Sequence, residues 1–241
     1  MTTRVTLSFD DGHPNDLRLA RILRRLGLRA TFYIPLANSE NELMTRVELL
    51  KIRDMGFEIG SHGLTHRRLH TMEELEARRE FYLSRRGLEK ILEEPVRGFC
   101  FSGGKTRHPL SLWAAQEGYD YCRTTRMFRQ SRMRLRNLLH TSLQWYPHGY
   151  SGYLRHLLRR PKAYALAEFV RCKRPLLAGT AASLFDEALS QGRPFHLWGH
   201  SYEFVGREDW RNLEAFLEGI AGRSGVAYVN NSELFDALLQ S

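Results

Sequence analysis

The stretch VTLSFDDG, residues 5–12, decides the fold predicted for this 241-residue chain. Residues 5–9 have the pattern of a short buried strand, and residues 16–26 then place leucine and alanine at helical spacing. The same alternation of strand and helix recurs along most of the chain, which indicates a parallel sheet with helices packed outside it. The pattern contains seven or eight strand–helix units, and at this length we predict a single α/β domain, folded as a (β/α) barrel in preference to an open doubly wound sheet. No G-x-G-x-x-G fingerprint follows the first strand, which argues against dinucleotide binding.

The remaining elements follow from the same patterns. Further strands are predicted at residues 30–34, 58–61, 96–101, 119–123, 141–145, 194–198 and 226–229. Helices are predicted at residues 46–55, 71–92, 109–116, 182–191, 209–219 and 232–239, with two less regular ones near 152–158 and 164–170. The helix at 71–92 is expected to begin with a capping box formed by Thr71 and Glu74.

The composition is that of an ordinary globular protein. Hydrophobic residues make up 42% and charged residues 26% of the sequence, which excludes the disordered and fibrous classes. The strand pattern begins at the N-terminus, and no apolar run approaches the ~20 residues that cross a bilayer, so we expect a cytoplasmic protein without a signal peptide. Cys100, Cys122 and Cys172 stand at unrelated spacings, which predicts free buried thiols rather than disulfides or a zinc knuckle.

Positive charge is concentrated in one part of the chain. The net charge is +9, yet residues 121–185, the basic segment, hold thirteen basic residues and a single acid, Glu168. Within it, residues 149–160 have the pattern of a basic amphipathic helix. Two interpretations remain open: a solvated face that packs its leucines on the barrel, or a surface that holds an anionic substrate or docks peripherally at an anionic inner membrane. No nucleic-acid-binding motif is present, so nucleic acid is not an expected partner.

Polar side chains follow several of the predicted strands at the point where each strand ends. Asp10 and Asp11 follow the first strand, His62 ends the third with His66 four residues on, and His200 follows the strand at 194–198. Each feature alone is more often structural than functional. In a β/α barrel, however, the carboxyl ends of the strands meet at one rim, where active sites are built. Their coincidence there predicts a site that combines metal ligands with acid and base groups.

Three of these segments resemble the successive motifs of a known family. They are TLSFDDG at residues 6–12, SHGLTH at 61–66 and LWGH at 197–200, and they look like motifs of the polysaccharide deacetylases, carbohydrate esterase family 4. The resemblance extends over residues 5–200 and is weakest between 105 and 190. It implies a distorted (β/α) barrel of about seven strands, one divalent metal ion, expected to be zinc, and the removal of acyl groups from N-acylated sugars.

The resemblance also assigns roles to individual residues. Asp10 matches the family's general base and His200 its general acid, whereas Asp11, His62 and His66 match its metal ligands. The chemistry agrees with these roles, because one carboxylate and two imidazoles leave coordination positions open for water and a carbonyl oxygen. A second carboxylate that does not bind the metal is then free to take a proton from that water. Adjacent strand residues point to opposite faces, so Asp10 and Asp11 share a site only if the strand ends there.

The third motif departs from the family pattern of Arg, any residue, Pro, Tyr or Phe, Gly. Residues 100–104 read CFSGG, so the arginine that steadies the base is replaced by Cys100, which we expect to leave the base without this partner. Arg97 is near in sequence but is predicted on the opposite strand face. Gly103 is still expected to offer a backbone N–H to the oxyanion. The family's fourth motif is not identifiable; Trp145 is a candidate for an aromatic wall or for the core.

These observations lead to two hypotheses. The first is a metal-dependent hydrolase that removes an acyl group from an N-acylated amino sugar or sugar precursor in polysaccharide or glycoconjugate biosynthesis. The alternative is a non-catalytic sugar-binding descendant of the family, for which the lost arginine is the main support. A cytoplasmic location favours a phosphate-linked or lipid-linked precursor as the substrate. His196 lies about 13 Å back along the strand from His200, which predicts an interior, hydrogen-bonded histidine.

Overall fold

The structure, a computed structural model, describes residues 2–127, 137–146 and 176–240. Nine strands are present in this part of the chain: β1 (Thr3–Asp10), β2 (Ala30–Ile34), β3 (Glu58–Ser61), β4 (Gly98–Cys100), β5 (Tyr121–Arg123), β6 (Leu138–Leu139), β7 (Leu143–Gln144), β8 (Phe195–Gly199) and β9 (Val226–Tyr228). The helices of the same part are α1 (Asn15–Arg25), α2 (Arg46–Asp54), α3 (Glu74–Leu92), α4 (Leu110–Gln116), α5 (Leu176–Ser190), α6 (Arg207–Ile220) and α7 (Asn231–Leu239).

All strand pairs are parallel, and the sheet curls into a half-barrel. Its order is β6-β5-β4-β3-β2-β1-β8-β7, and β9 pairs with the beginning of β1. The predicted distorted β/α barrel is therefore confirmed. The sheet has nine strands rather than about seven. Eight of them overlap the predicted strands, including β7 within residues 141–145, and the ninth, β6, is a two-residue strand that the pattern of apolar runs does not resolve. Within the described residues, no strand pairing joins β6 to β7, so the barrel is open at this seam.

The central strand β1 explains how a polar site forms at the end of a buried sheet. Alternate residues of a strand point to opposite faces. Val5, Leu7 and Phe9 lie in the main hydrophobic cluster, packed among the helices. Thr6 and Ser8 point into the barrel and are hydrogen-bonded there, Thr6 to Asn231 and Ser8 to His196, each at 2.8 Å. The next residue on this inward face is Asp10, which places its carboxylate at the C-terminal mouth of the barrel.

The start of α3 differs from the prediction. The helix begins at Glu74, and Thr71 instead closes a 3-10 turn that spans Leu69–Thr71. Thr71 Oγ1 donates a hydrogen bond to the backbone oxygen of Arg68 at 2.8 Å, so it does not cap α3. The predicted capping box was therefore wrong. A capping box is present at α7, where Asn230 accepts from the backbone N–H of Glu233 at 2.9 Å.

Much of the basic segment lies outside the described residues. This applies to the helices predicted near 152–158 and 164–170, to the amphipathic pattern at 149–160, and to Cys172. Cys100 and Cys122 are buried free thiols, as predicted. Among the described helices, none combines the length and the apolar character that a membrane-spanning helix requires.

Candidate active site

The predicted site residues come together in one cleft at the C-terminal mouth of the barrel. The cleft has a volume of about 650 Å³. Its lining includes all six residues singled out in the sequence: Asp10, Asp11, His62, His66, Gly103 and His200. These residues are far apart in the sequence but close in space. The strands β1, β3 and β8 all end at this mouth, and the loop after β4 lies there as well.

Asp11, His62 and His66 form a compact set of possible metal ligands. Asp11 Oδ1 lies 3.2 Å from His62 Nε2 and 3.0 Å from His66 Nε2. One ligand atom from each of the three residues lies within 4.8 Å of the others. Burial by itself would raise the pKa of Asp11, but the two adjacent imidazoles outweigh it and hold the pKa well below its usual range. The set consists of donor types that a catalytic zinc site uses, and it fits a divalent ion.

The backbone turns sharply at two of these three residues. Asp11 has a φ of 77° and His66 a φ of 58°, both in the left-handed region that residues other than glycine rarely adopt. Gly12 follows Asp11 with a φ of 64°. The chain therefore leaves the strand geometry directly after Asp10, as the shared site requires, and the turn begins at Asp11 itself. Such conformations cost about 1–3 kcal/mol each and cluster at functional sites.

Contacts behind the two histidines fix their orientation. His62 Nδ1 lies 2.8 Å from the backbone oxygen of Cys100, and because a carbonyl only accepts, this nitrogen donates the proton. The other ring nitrogen, His62 Nε2, is the one that faces Asp11. Glu80 on α3 accepts backbone hydrogen bonds from Leu64 at 2.8 Å and Thr65 at 3.0 Å. Glu80 thus holds the loop between the two histidines in place. Sequence analysis did not identify this structural role.

Asp10 has an arginine partner, contrary to the expectation from the sequence. Asp10 Oδ1 accepts a hydrogen bond from Arg123 Nη2 of β5, and its Oδ2 lies 3.6 Å from the thiol of Cys100. The third motif lacks its arginine, yet the carboxylate of Asp10 still has a guanidinium beside it. Arg97 points elsewhere, as predicted, and pairs with Asp120 and Asp236.

Arg123 is among the largest side chains that are completely buried in the described part of the chain, with an exposed fraction of 0%. Its guanidinium carbon lies 5.1 Å from the ring centre of Tyr33 and 4.8 Å from that of Trp198. Burial alone would lower the pKa of Arg123, but the carboxylate of Asp10 raises it above its usual value. Arg123 belongs to the basic segment, and the sequence analysis did not distinguish it from the other basic residues there.

His200 follows β8, the strand that pairs with β1, and lies beside a carboxylate. Its Nδ1 is 3.0 Å from Glu203 Oε1, and its ring stacks on Tyr202 with the ring centres 5.0 Å apart. Burial by itself would lower the pKa of His200, but the nearby carboxylates of Glu203, Asp10 and Asp11 raise it above its usual value. A raised pKa lets a histidine hold its proton to higher pH, which suits the role of proton donor.

His196, by contrast, is an interior residue, as its depth on β8 predicted. It is buried against Ser8, and burial together with the charge of Arg123 lowers its pKa well below the usual value. Trp145 is a core residue rather than a wall of the cleft: it is buried, and its ring centre lies 5.1 Å from that of Phe216. Trp198 supplies an aromatic side chain to the cleft instead.

Gly103 and Gly104 form a tight turn at the rim of the cleft. Both have a φ of 68°, and a Cβ on Gly104 would overlap the side chain of Thr125. Gly103 is exposed, which leaves its backbone accessible to a ligand. The side chains of Arg67 and Arg68 line the same rim, so this end of the cleft is positively charged.

Comparison with known proteins agrees with this geometry. A family model described as polysaccharide deacetylase matches residues 2–122, about half of the chain. A search of curated protein sequences gave no significant match.

Solved structures share the fold at low sequence identity. A putative polysaccharide deacetylase from Mycobacterium smegmatis is similar with a TM-score of 0.72 and 14% identity, over 99% of this chain and 91% of that one. A Streptococcus pyogenes deacetylase in complex with acetate is similar with a TM-score of 0.51 and 19% identity, and the match covers 55% of this chain and 61% of that one. A carbohydrate esterase family 4 pseudoenzyme from Bacillus anthracis is similar with a TM-score of 0.55 and 17% identity, over 98% of this chain and 66% of that one.

Proposed function

Because this chain belongs to the polysaccharide deacetylase family, we propose that it is an active hydrolase that removes the acyl group, such as acetyl, from an N-acylated amino sugar. One observation carries the proposal. The candidate ligand set of Asp11, His62 and His66 shares a cleft with the paired carboxylate of Asp10 and with His200. These residues supply candidates for a metal-binding group, a base and an acid, which are the three elements of metal-assisted amide hydrolysis.

We propose that Asp11, His62 and His66 hold one divalent ion, and that this ion is zinc. When bound, the ion would polarise the acyl carbonyl and make the attacking water more acidic. The donor set of one carboxylate and two imidazoles matches the preference of zinc and leaves positions open for substrate and water.

The residues of the chain perform the proton transfers. Asp10 takes a proton from the water as it attacks the acyl carbon, and the backbone N–H of Gly103 donates to the oxyanion that develops. His200 then gives its proton to the amine nitrogen as the C–N bond breaks. The products are a carboxylate and a free amino sugar. The raised pKa of His200 supports this assignment, because the donor must carry its proton at the start of the reaction.

We further propose that the substrate carries a negative charge, for example a phosphate. Arg67 and Arg68 line the rim beside Gly103, and Arg67 pairs with Glu76, whereas Arg68 has no carboxylate partner within the described residues. Burial and the positive charges of Lys105, Arg68 and Arg107 lower the pKa of the nearby His70, which supports a positive charge around Arg68.

Replacement of Arg68 by Gln tests this assignment. We expect KM for a phosphorylated N-acetyl sugar to rise about tenfold, equivalent to ~1.4 kcal/mol, with little change for the uncharged sugar. Arg86→Gln is the matched control, since Arg86 is an exposed arginine on α3 outside the cleft lining. An equal effect on charged and uncharged substrates would contradict the proposal. The cytoplasmic location and the docking at an anionic membrane stay predictions, and residues 149–160, on which docking depends, lie outside the described residues.

The alternative is a protein that binds sugars without catalysis, since the family includes the pseudoenzyme from Bacillus anthracis. Its main support was the loss of the arginine at position 100, and the pairing of Asp10 with Arg123 weakens that support. Zinc-loaded protein should be incubated with free, phosphate-linked and nucleotide-linked N-acetyl hexosamines, and acetate release and sugar binding should be measured in parallel. We expect acetate release from at least one class. Sugar binding without acetate release from any of them would favour the alternative.

A further inference from the structure

We propose that Arg123 is the positioning residue of the base, Asp10. In the family pattern an arginine at position 100, on β4, would hold this carboxylate. In this chain Arg123 holds it from the neighbouring strand, β5. The inference rests on the proposed function, in which Asp10 takes the proton from water. It explains how the chain keeps a working base although its third motif has lost its arginine.

The sheet register brings the replacement to the right place. In the parallel pairing of β4 with β5, Cys100 and Arg123 are Cα partners, so the two side chains stand at the same level of the barrel. Each contacts a different oxygen of the same carboxylate: Arg123 Nη2 donates to Asp10 Oδ1, and the Cys100 thiol lies 3.6 Å from Oδ2. An arginine at position 123 on β5 therefore reaches the same carboxylate as an arginine at its register partner, position 100 on β4, would.

The sizes of the two side chains are complementary. Cys100 and Arg123 are both buried with an exposed fraction of 0%, and Arg123 occupies the interior between the rings of Tyr33 and Trp198. A second long side chain at position 100 would compete with Arg123 for this closed space. A small residue on β4 thus accompanies the long one on β5, as expected for an exchange of roles between the two positions.

The buried negative charges of the site also favour an arginine at position 123. Asp10 and Asp11 are adjacent and both buried, and Asp11 faces the two histidines. A carboxylate buried without a positive partner is strongly unfavourable. Arg123 supplies that partner and, because aromatic rings enclose its guanidinium, it holds the carboxylate in one orientation. We infer that it acts on the rate through Asp10 and does not itself touch the substrate.

The first test replaces Arg123 by Met, which keeps an unbranched apolar stem, although a shorter side chain, and removes the charge. We expect kcat to fall about 10- to 100-fold, the usual effect of removing a group that orients a catalytic residue. KM and zinc stoichiometry should stay near the wild-type values, because Arg123 is not among the cleft-lining or ligand residues. Arg97→Met is the matched control: it removes an arginine paired with Asp120 and Asp236, and we expect lower stability with unchanged kcat.

The second test is an exchange of the two positions. The double variant Cys100→Arg/Arg123→Cys restores an arginine beside Asp10 from the other strand. We expect its kcat to exceed that of Arg123→Cys at least tenfold. If Arg123→Cys folds poorly, recovery of a folded, active protein in the exchange variant is the supporting result. A folded exchange variant no more active than Asp10→Asn would overturn the proposal.

A double-mutant cycle with Asp10→Asn separates positioning from general support of the fold. If Arg123 acts through Asp10, Arg123→Met adds little to the loss that Asp10→Asn already causes. Full additivity of the two losses would overturn the proposal. Failure of the proposed function is distinguishable, since the wild-type protein would then release no acetate. Wild-type turnover with an inactive Asp10→Asn and a fully active Arg123→Met would reject only the role of Arg123.

Discussion

Glu203 Oε1 lies 3.0 Å from His200 Nδ1, and the two residues are three positions apart on the turn that follows β8. This pairing leaves the other ring nitrogen of His200 available for a proton donor role. It also places a negative charge beside the histidine, in addition to the charges of Asp10 and Asp11 at the end of the neighbouring strand β1. Glu203 is thus a positioning residue for the acid in our account.

Glu203→Gln should shift the pH dependence of the reaction. The acid works only when protonated, so the rate falls as the pH rises through the pKa of His200. Glu203 contributes to the raised pKa of His200, and its removal lowers that pKa. We therefore expect the basic limb of the kcat–pH profile to move to lower pH. His196→Gln is the control, because His196 is bonded to Ser8 in the interior and should leave this limb unchanged. An unchanged limb in Glu203→Gln would contradict the assignment.

His62→Ala and His66→Ala should each reduce bound zinc to near zero. Each variant leaves two of three protein ligands, too few for a stable zinc site. The measurement is elemental analysis of protein purified in zinc-containing buffer. His70→Ala serves as the control, since His70 lies on the 3-10 turn Leu69–Thr71 and not in the ligand set. Retention of zinc at the wild-type level in both variants would show that the ligand set is wrong.

Glu80→Gln should weaken zinc binding although Glu80 touches no ligand atom. The carboxylate accepts the backbone N–H groups of Leu64 and Thr65, which hold the loop between His62 and His66. A neutral amide offers one acceptor oxygen in place of two and no charge. We expect zinc affinity to fall about 10- to 100-fold in a competition titration with a chelator. Glu74→Gln, on the exposed face of α3 and paired with Arg78, should bind zinc like the wild type. Equal affinities for all three proteins would refute the role of Glu80.

Some parts of this structure are predictable from the sequence because their signals are local. The strands β2 and β3 begin and end at the predicted residues, since each is a short run between a helix end and a polar turn. The residues of the cleft were also predictable, because β1, β3 and β8 are parallel and their polar ends must meet at one mouth. Both inferences need only the order of residues along the chain.

Other parts depend on contacts that the sequence does not contain. The pairing of Arg123 with Asp10 follows from the register between β4 and β5, which no local pattern specifies. An arginine near many other basic residues looks like a surface charge until that register is known. Thr71 was predicted to cap α3 because its spacing to Glu74 is correct, yet it closes the preceding 3-10 turn instead.

The measurement that tests the central claim most directly compares wild-type protein and Asp10→Asn for acetate release and zinc content. If Asp10 is the base and not a ligand, Asp10→Asn keeps wild-type zinc and loses about 10²- to 10⁴-fold in kcat. Asparagine keeps the size of the side chain, and the ligand set of Asp11, His62 and His66 is untouched. Loss of zinc together with activity would reassign Asp10 as a ligand, and turnover near the wild-type rate would contradict the account.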